Sequence, residues 1–225
     1  MSKVRIAVNG AAGRMGVRIL ALVSESKEFE SAGSFDAKDE IRLTGKGALI
    51  DFSSPEGTAL AAEAASKAGW GLVVGTTGLQ TKEMDLLKKA SQKIAVVVSS
   101  NMSVGVNLVA ELLELIAQKL PKEFSIKITE THHIHKKDSP SGTALMLNKA
   151  IQSTLQSQQK IEIEAIREGE VVGDHTILFS GPAETIEIKH HARSRDIFAG
   201  GALVAARFAS SAKPGLYSMR DVLRK

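Results

Sequence analysis

The chain contains no cysteine. That excludes disulfides, thiolate zinc sites and cysteine nucleophiles, and it fits a reducing compartment. Aromatic residues are scarce, with one Trp and one Tyr, so the base-stacking platforms of nucleic-acid binders are not expected. The charge excess is small, +4, with bases and acids interspersed. Such an excess suits small anions rather than nucleic acid. No apolar run is long enough to span a bilayer. Met1-Ser2-Lys3-Val4-Arg5-Ile6 leads straight into a strand-like pattern with no signal peptide. A soluble, cytoplasmic protein with no membrane or nucleic-acid partner is expected. The 225 residues allow one large domain or two small ones, with enough chain to bury a core.

Several short, nearly continuous apolar runs read as strands buried on both faces: Val4 to Val8, Ala48 to Phe52, Leu72 to Val74 and Ile94 to Val98. A weaker strand, Ser31 to Phe35, ends at Asp36. Helical patterns separate them. One follows Gly16 to about Ser24, one opens at Ser54-Pro55-Glu56, and one covers Thr81 to Ser91. Ser54 suits an N-cap and Pro55 the first helical position. Alternating β and α elements predict a doubly wound parallel sheet, in which ligands bind beyond the carboxyl ends of the strands.

The pattern changes after Gly105. A long helix, about Val106 to Leu120, carries a broad apolar face including Leu108, Leu112, Leu115 and Ile116. Period-two alternation then marks Phe124 to Ile128, Ile161 to Ala165, Thr176 to Phe179 and Ile186 to Ile188, as in a sheet covered on one face. Ala144 to Leu155 reads as a helix, part of that cover. The expected division is a Rossmann-type nucleotide domain of residues 1–103 and 199–225, and an α+β domain of residues 104–198. A final helix, about Ile197 to Ser210, returns to the first domain.

Gly10-Ala11-Ala12-Gly13-Arg14-Met15-Gly16 follows the first strand and opens a helix. Glycines there let backbone amides approach a pyrophosphate. Asp36 stands about 20 residues further on, where a ribose-binding acid is expected; a surface turn is the competing reading. An acid there disfavours a 2′-phosphate, while Arg14 and Lys38 would offset it, so NADH and NADPH both stay open. Gly75-Thr76-Thr77-Gly78 suits a nicotinamide or ribose contact or a plain βα turn.

Glu130-Thr131-His132-His133-Ile134-His135-Lys136-Lys137-Asp138-Ser139-Pro140-Ser141-Gly142-Thr143-Ala144 is the most informative segment. It sets three histidines and two lysines ahead of a turn that opens a helix. This combination suits an anionic substrate that is protonated during reaction. His132 continues the alternation of Phe124, Ile126, Ile128 and Glu130, and so shares their face. A histidine titrates near neutrality and can supply a proton. Lys136 can serve as a point charge on a carboxylate or as a second acid. Zinc ligation by His132, His133 and His135 is the competing reading. The first two diverge on a strand, and the spacing fits no common site, so proton transfer is favoured and no metal is expected. His190-His191-Ala192-Arg193-Ser194-Arg195 adds cations to the same site or forms a solvated turn.

These motifs together resemble the 4-hydroxy-tetrahydrodipicolinate reductase family, also called dihydrodipicolinate reductase. Glu130 to Ala144 is similar to its signature E-x-H-H-x-H-K-x-D-x-P-S-G-T-A. Gly10 to Gly16, Ile50-Asp51-Phe52-Ser53, Gly75 to Gly78, Asn101 to Asn107 and Gly215 to Leu223 match in order along nearly the whole chain. The resemblance implies a Rossmann-type domain completed by the C-terminal segment, and an α+β domain that binds substrate and builds a homotetramer. It implies His132 as proton donor and Lys136 as second catalytic residue. It places His133, Gly142 and Thr143 at the substrate, a cyclic dicarboxylate imine, with Ser141 and Arg195 expected beside them. It places Gly10, Ala11, Ala12, Gly13, Arg14, Met15, Asp36, Gly75, Thr76, Thr77, Ser99, Ser100, Asn101 and Met102 at NADH or NADPH.

Two departures stand out. The segment between Asp36 and Ile50 is short for the family, which implies a missing crossover helix. Ala37 and Ser54 stand where some relatives carry basic residues that favour a 2′-phosphate, which points toward NADH or dual use. A catalytically silent nucleotide sensor, a metal-dependent hydrolase and a dehydrogenase for another cyclic imine are the alternative functions.

Overall fold

The computed structural model describes residues 3–155 and 159–224. The chain divides into two compact units. One comprises residues up to Val104 and from Asp196 onward, the other Gly105–Arg195. Residues 196–198 thus fall in the first unit rather than the second, because the returning helix already starts at Asp196.

The first unit contains β1 (Val4–Asn9), α1 (Arg14–Glu25), β2 (Phe29–Phe35), β3 (Ala48–Asp51), α2 (Pro55–Ala68), β4 (Gly71–Val74), α3 (Thr81–Ser91) and β5 (Ala95–Val98). Its strands join β10 (Gly215–Tyr217) in a parallel sheet of order β10-β5-β4-β3-β1-β2. Successive side chains along a strand point to opposite faces, and both faces are covered. Ile6, Val8, Ile50, Val73 and Val97 pack with Ile19 and Val23 of α1 and with Ala202 and Ala206 of α6 (Asp196–Ala209). Ala7, Leu49, Leu72 and Val96 pack on the other side with Ala61 and Ala65 of α2 and Leu87 of α3. This two-sided burial explains why the strands read as unbroken apolar runs. Ser54 caps α2 by accepting the Gly57 N–H at 3.1 Å.

Residues 36–47, between β2 and β3, contain no helix. Ile41 and Leu43 of this connection pack against the core beside Trp70, whose Nε1–H donates to the Gly45 carbonyl at 2.9 Å. The short segment therefore closes one face of the sheet with two apolar side chains in place of a crossover helix.

The second unit contains α4 (Val104–Lys119, its first residue assigned to the first unit), β6 (Ser125–His132), α5 (Gly142–Gln152), β7 (Glu162–Arg167), β8 (Asp174–Ser180) and β9 (Thr185–His191). The sheet order is β7-β6-β8-β9, with β6 parallel to β7 and antiparallel to β8. Ile126, Ile128, Ile177 and Phe179 form the core with Leu113 of α4 and Leu147 of α5. The expected apolar face of α4 is corrected in part. Val106, Ala110, Leu113 and Ala117 face the core, while Leu108, Leu112 and Leu115 are 44–52% exposed. Apolar residues surround this helix on nearly every side, so periodicity alone does not select the buried stripe.

Candidate active site

In the first unit the chain leaves β1 and turns at Gly10, whose φ of +80° favours glycine. A Cβ on Gly10 would overlap the Phe52 carbonyl. The turn is held by Gly10 N–H and Ala11 N–H to the Phe35 carbonyl (2.8 and 3.1 Å) and by Gly13 N–H to the Gly10 carbonyl at 3.1 Å. Gly13 is the N-cap of α1 and supplies no side-chain cap. The helix N-terminus thus presents backbone donors and the positive end of its dipole, as a pyrophosphate requires. Arg14 is exposed and Met15 half-buried at that end.

Beside the turn lies a cavity of about 360 Å³, lined among others by Gly10, Gly13, Asp36, Asp39, Ser54 and Glu56. Asp36 accepts the Ala12 N–H on its carboxylate at 3.1 Å, and Asp39 accepts the Asp36 N–H at 2.8 Å. Among the described residues lining this cavity, three are acids and none is a lysine or arginine. Arg14 and Lys38 lie outside that lining. The glycine turn, the uncapped helix and the cavity fit a nicotinamide dinucleotide.

The loops around this cavity are tied by Asp51, which is fully buried. Its Oδ1 accepts from Asn9 Nδ2 at 2.7 Å and Ser53 Oγ at 2.5 Å. Its Oδ2 accepts from Thr58 Oγ1 at 2.5 Å and Thr76 Oγ1 at 2.8 Å. Thr76 also accepts the Ser53 N–H, so its hydroxyl is committed to the scaffold. Gly75 is buried against the Phe52 ring, and Thr77 is exposed. Ser99 Oγ bonds the Asn101 carbonyl at 2.7 Å, Ser100 is exposed, and Asn101 Oδ1 accepts the Ser103 N–H. The Met102 side chain is core, 1% exposed, so any contact it makes with a nucleotide runs through its backbone.

In the second unit β6 continues through His132, and its alternation buries Ile126, Ile128, Glu130 and His132 on one face. Glu130 Oε1 accepts the Ser141 N–H at 3.0 Å and Arg167 Nη2 at 3.1 Å. Glu130 Oε2 lies 3.0 Å from His132 Nδ1 and 3.9 Å from His175 Nε2. Strand register brings these groups together: His132 pairs with Arg167 across β6 and β7, and Glu130 pairs with His175 across β6 and β8. Ser141 caps α5 by accepting the Ala144 N–H at 3.1 Å, and its Oγ lies 3.4 Å from His175 Nε2. Lys136 Nζ pairs with Asp138 Oδ1 at 2.7 Å. Arg195 Nη2 lies 3.4 Å from His133 Nε2. Gly142 is exposed and Thr143 half-buried in the first turn of α5.

The electrostatics follow from this packing. Burial opposes ionisation of Glu130, but hydrogen bonds from Ser141 and Arg167 outweigh it and hold the carboxyl below the usual range. Burial lowers His132, opposed by the Glu130 charge and aided by Lys136 and Arg167. Burial, with the neighbouring His132, lowers His175 to about 4. Lys136 holds Asp138 below the ordinary carboxylate value.

Of the residues expected from the signature, His132 and Ser141 meet at Glu130 and the Lys136 charge acts on His132, while His133 pairs with Arg195 and His135 is exposed, 3.9 Å from Glu170. Ser141 contributes differently from expectation, since its N–H is committed to Glu130. Arg167 and His175 carry no signal in the sequence, and Asp51 stands there only within the matching motif Ile50 to Ser53, with no role assigned. Glu130, His132 and His175 offer one ligand atom each within 4.8 Å of one another, a spacing that also suits a metal ion. The Arg167 guanidinium already supplies the countercharge of Glu130, which favours a proton-handling cluster over a cation site.

A parallel sheet with a glycine-rich first turn, carried in one chain with a mixed sheet that buries a histidine–carboxylate pair, defines the class of Rossmann-type oxidoreductases. The particular family follows from comparison with known proteins. The family model described as dihydrodipicolinate reductase, C-terminus, matches residues 105–223. The model described as dihydrodipicolinate reductase, N-terminus, matches residues 4–48 and 40–102. The chain belongs to the dihydrodipicolinate reductase family. It is 38% identical to the 4-hydroxy-tetrahydrodipicolinate reductase of Nitrosomonas europaea, over 99% of both chains. It is 37% identical to that of Burkholderia multivorans, over 97% of this chain and 98% of the relative. The fold matches dipicolinate-bound dihydrodipicolinate reductase from Paenisporosarcina sp. TG-14 with a TM-score of 0.83 at 19% identity, over 98% and 99% of the two chains. The Nitrosomonas match runs over 265 aligned positions, more than the 225 residues of this chain. The two pieces of the N-terminal match meet at residues 40–48, in and just beyond the helix-free connection.

Proposed function

We propose that this protein reduces 4-hydroxy-tetrahydrodipicolinate to tetrahydrodipicolinate with a reduced nicotinamide nucleotide, in lysine and diaminopimelate biosynthesis. The observation that carries the chemistry is the buried His132, followed four residues on by Lys136 and then by the N-terminus of α5. Departure of the 4-hydroxyl as water leaves a conjugated cyclic imine. When bound, a reduced nicotinamide would supply the hydride that C4 of that ring accepts. The displaced electron pair rests on the ring nitrogen as an enamine. His132 gives its proton to the neighbouring ring carbon, which restores the imine. Lys136 stabilises charge on the substrate. The first turn of α5, at Gly142 and Thr143, holds one carboxylate by its backbone donors and dipole, while His133 and Arg195 hold charge elsewhere on the substrate. Gly10 to Met15, Asp36, Gly75 to Thr77 and Ser99 to Met102 hold the nucleotide.

NADH is the preferred donor in this reading. Asp36, Asp39 and Glu56 line the cavity beside the glycine turn, and a 2′-phosphate there meets like charge. The reading includes a cytoplasmic location and a homotetramer built through the second unit. The helices cover one face of that unit's sheet, and the other face stays half-exposed.

The test is nucleotide oxidation with substrate generated in situ from pyruvate and aspartate semialdehyde by the preceding synthase. Reductase-dependent oxidation of NADH, faster than of NADPH at equal concentration, is expected. No oxidation of either by folded protein overturns the reductase reading, and faster NADPH oxidation overturns the cofactor preference.

A further inference from the structure

Glu130 belongs to neither the nucleotide nor the substrate contacts described so far, yet it is fully buried and touches the proposed proton donor. Its two oxygens do different work. Oε1 is saturated by the Ser141 N–H and by Arg167 Nη2. Oε2 has no well-aligned hydrogen-bond partner, but it lies 3.0 Å from His132 Nδ1, itself buried. Arg167 Nη2 also donates to the Asp138 carbonyl at 2.6 Å, a second tie that holds it at the carboxylate.

Gly173, which has no side chain, packs along the Nε2–Cδ2 edge of the imidazole. A Cβ on Gly173 would stand 3.0 Å from His132 Nε2 and 3.4 Å from its Cδ2. Nδ1 thus lies beside a fixed anion at 3.0 Å, off the line of an ideal hydrogen bond, and Nε2 lies beside a residue that has no side chain.

We propose that Glu130 is the positioning residue of proton donation: it holds the Nδ1–H of His132, so that the transferable proton resides on Nε2, and it fixes the N-cap of α5 with its other oxygen. The inference rests on His132 being the donor. In the transfer, the Nε2–H bond breaks as the ring carbon–hydrogen bond forms, and the imidazolium returns to its neutral Nδ1–H form. The Glu130 charge favours the imidazolium before transfer. Other charged or titratable groups facing His132 are Lys136 and Asp138 from the following loop, Arg167 from β7 and His175 from β8. Of these only Asp138 shares the sign of Glu130, and Lys136 already holds it. By carrying both His132 and the Ser141 N-cap, one carboxylate sets the proton donor and the carboxylate-binding turn in mutual register.

Two measurements test this. Nitrogen-15 NMR of the histidine rings in the unaltered protein, with His132 assigned by the loss of its signals in His132→Gln, reads the tautomer without substrate. The neutral His132 ring is expected with its proton on Nδ1, and a proton on Nε2 overturns the proposal. Kinetics of Glu130→Gln and Glu130→Asp supply the second. Glu130→Gln is expected to lower kcat by on the order of 10²-fold or more and to move the alkaline limb of the kcat/KM profile to lower pH, with nucleotide affinity retained. Glu130→Asp is expected to restore part of the rate and of the pH profile. A folded Glu130→Gln protein with the parent pH profile overturns the proposal. Absence of turnover in the parent protein overturns the reductase reading instead, and the NMR result then still decides the Glu130–His132 relationship.

Discussion

Thr76 and Asp51 are joined by a buried hydrogen bond of 2.8 Å between the threonine hydroxyl and carboxylate Oδ2. This contact links the loop after β4 to the end of β3, and three further donors converge on the same carboxylate. A buried carboxylate with four donors acts as a knot: each loop is held by a group that has no other partner of equal strength.

Asp51→Asn turns one acceptor into a donor that faces hydroxyls and an amide. Loss of about 1–3 kcal/mol of stability is expected, together with weaker nucleotide binding because the loops around the glycine turn loosen. Urea denaturation and nucleotide titration of the same variant measure the two effects.

His132→Gln is expected to lower kcat by about 10²–10⁴-fold with little change in nucleotide affinity. Lys136→Ala is expected to lower kcat and raise the substrate KM, since it removes a cation from the substrate and frees Asp138. Steady-state kinetics with circular dichroism of each variant separates lost chemistry from lost fold. Unchanged kinetics in either variant removes that residue from the mechanism.

His175 makes stability depend on pH. Its folded value is lowered to about 4, below the ordinary unfolded value near 6.5, so the unfolded chain binds the extra proton between those limits. Stability is therefore complete above the unfolded value and falls as the pH drops toward 4, by up to on the order of 3 kcal/mol. Urea midpoints measured across that window are expected to fall with pH, and His175→Asn is expected to flatten the slope.

Gly173→Ala places a methyl group 3.0 Å from His132 Nε2, inside normal contact distance. The imidazole must shift to accommodate it. A fall in kcat on the order of tenfold is expected, with unchanged nucleotide binding. A parent-like kcat would show that this edge of His132 tolerates a neighbour.

Much of the fold was legible because each strand of the first unit is buried on both faces and each helix has a clear start. Val4 to Val8 stands out as an apolar run, and Ser54-Pro55 marks a helix start, because burial and capping act through adjacent residues. The position of His132 on the inner face of β6 follows from the same local rule. Its partners do not. Arg167 reaches Glu130 only because His132 and Arg167 share a parallel register, and His175 only because β8 runs antiparallel beside β6. Pairing register lies in no single segment. Thr76 shows the converse limit. A Gly-Thr-Thr-Gly turn suits a nucleotide contact, but the buried Asp51 that captures its hydroxyl stands 25 residues earlier.

The first unit is assembled from both ends of the chain. α6 packs on the face that holds Ile6 and Ile50, and β10 adds beside β5. The second unit is continuous, Gly105–Arg195. During synthesis the ribosome releases the whole of the second unit before it releases the helix and strand that complete the first. Until then the first sheet exposes the apolar surface that α6 later covers, a surface open to chaperones and to premature association. The order of translation thus makes the unit that carries His132 a complete length of chain while the unit that carries the glycine turn still awaits α6 and β10.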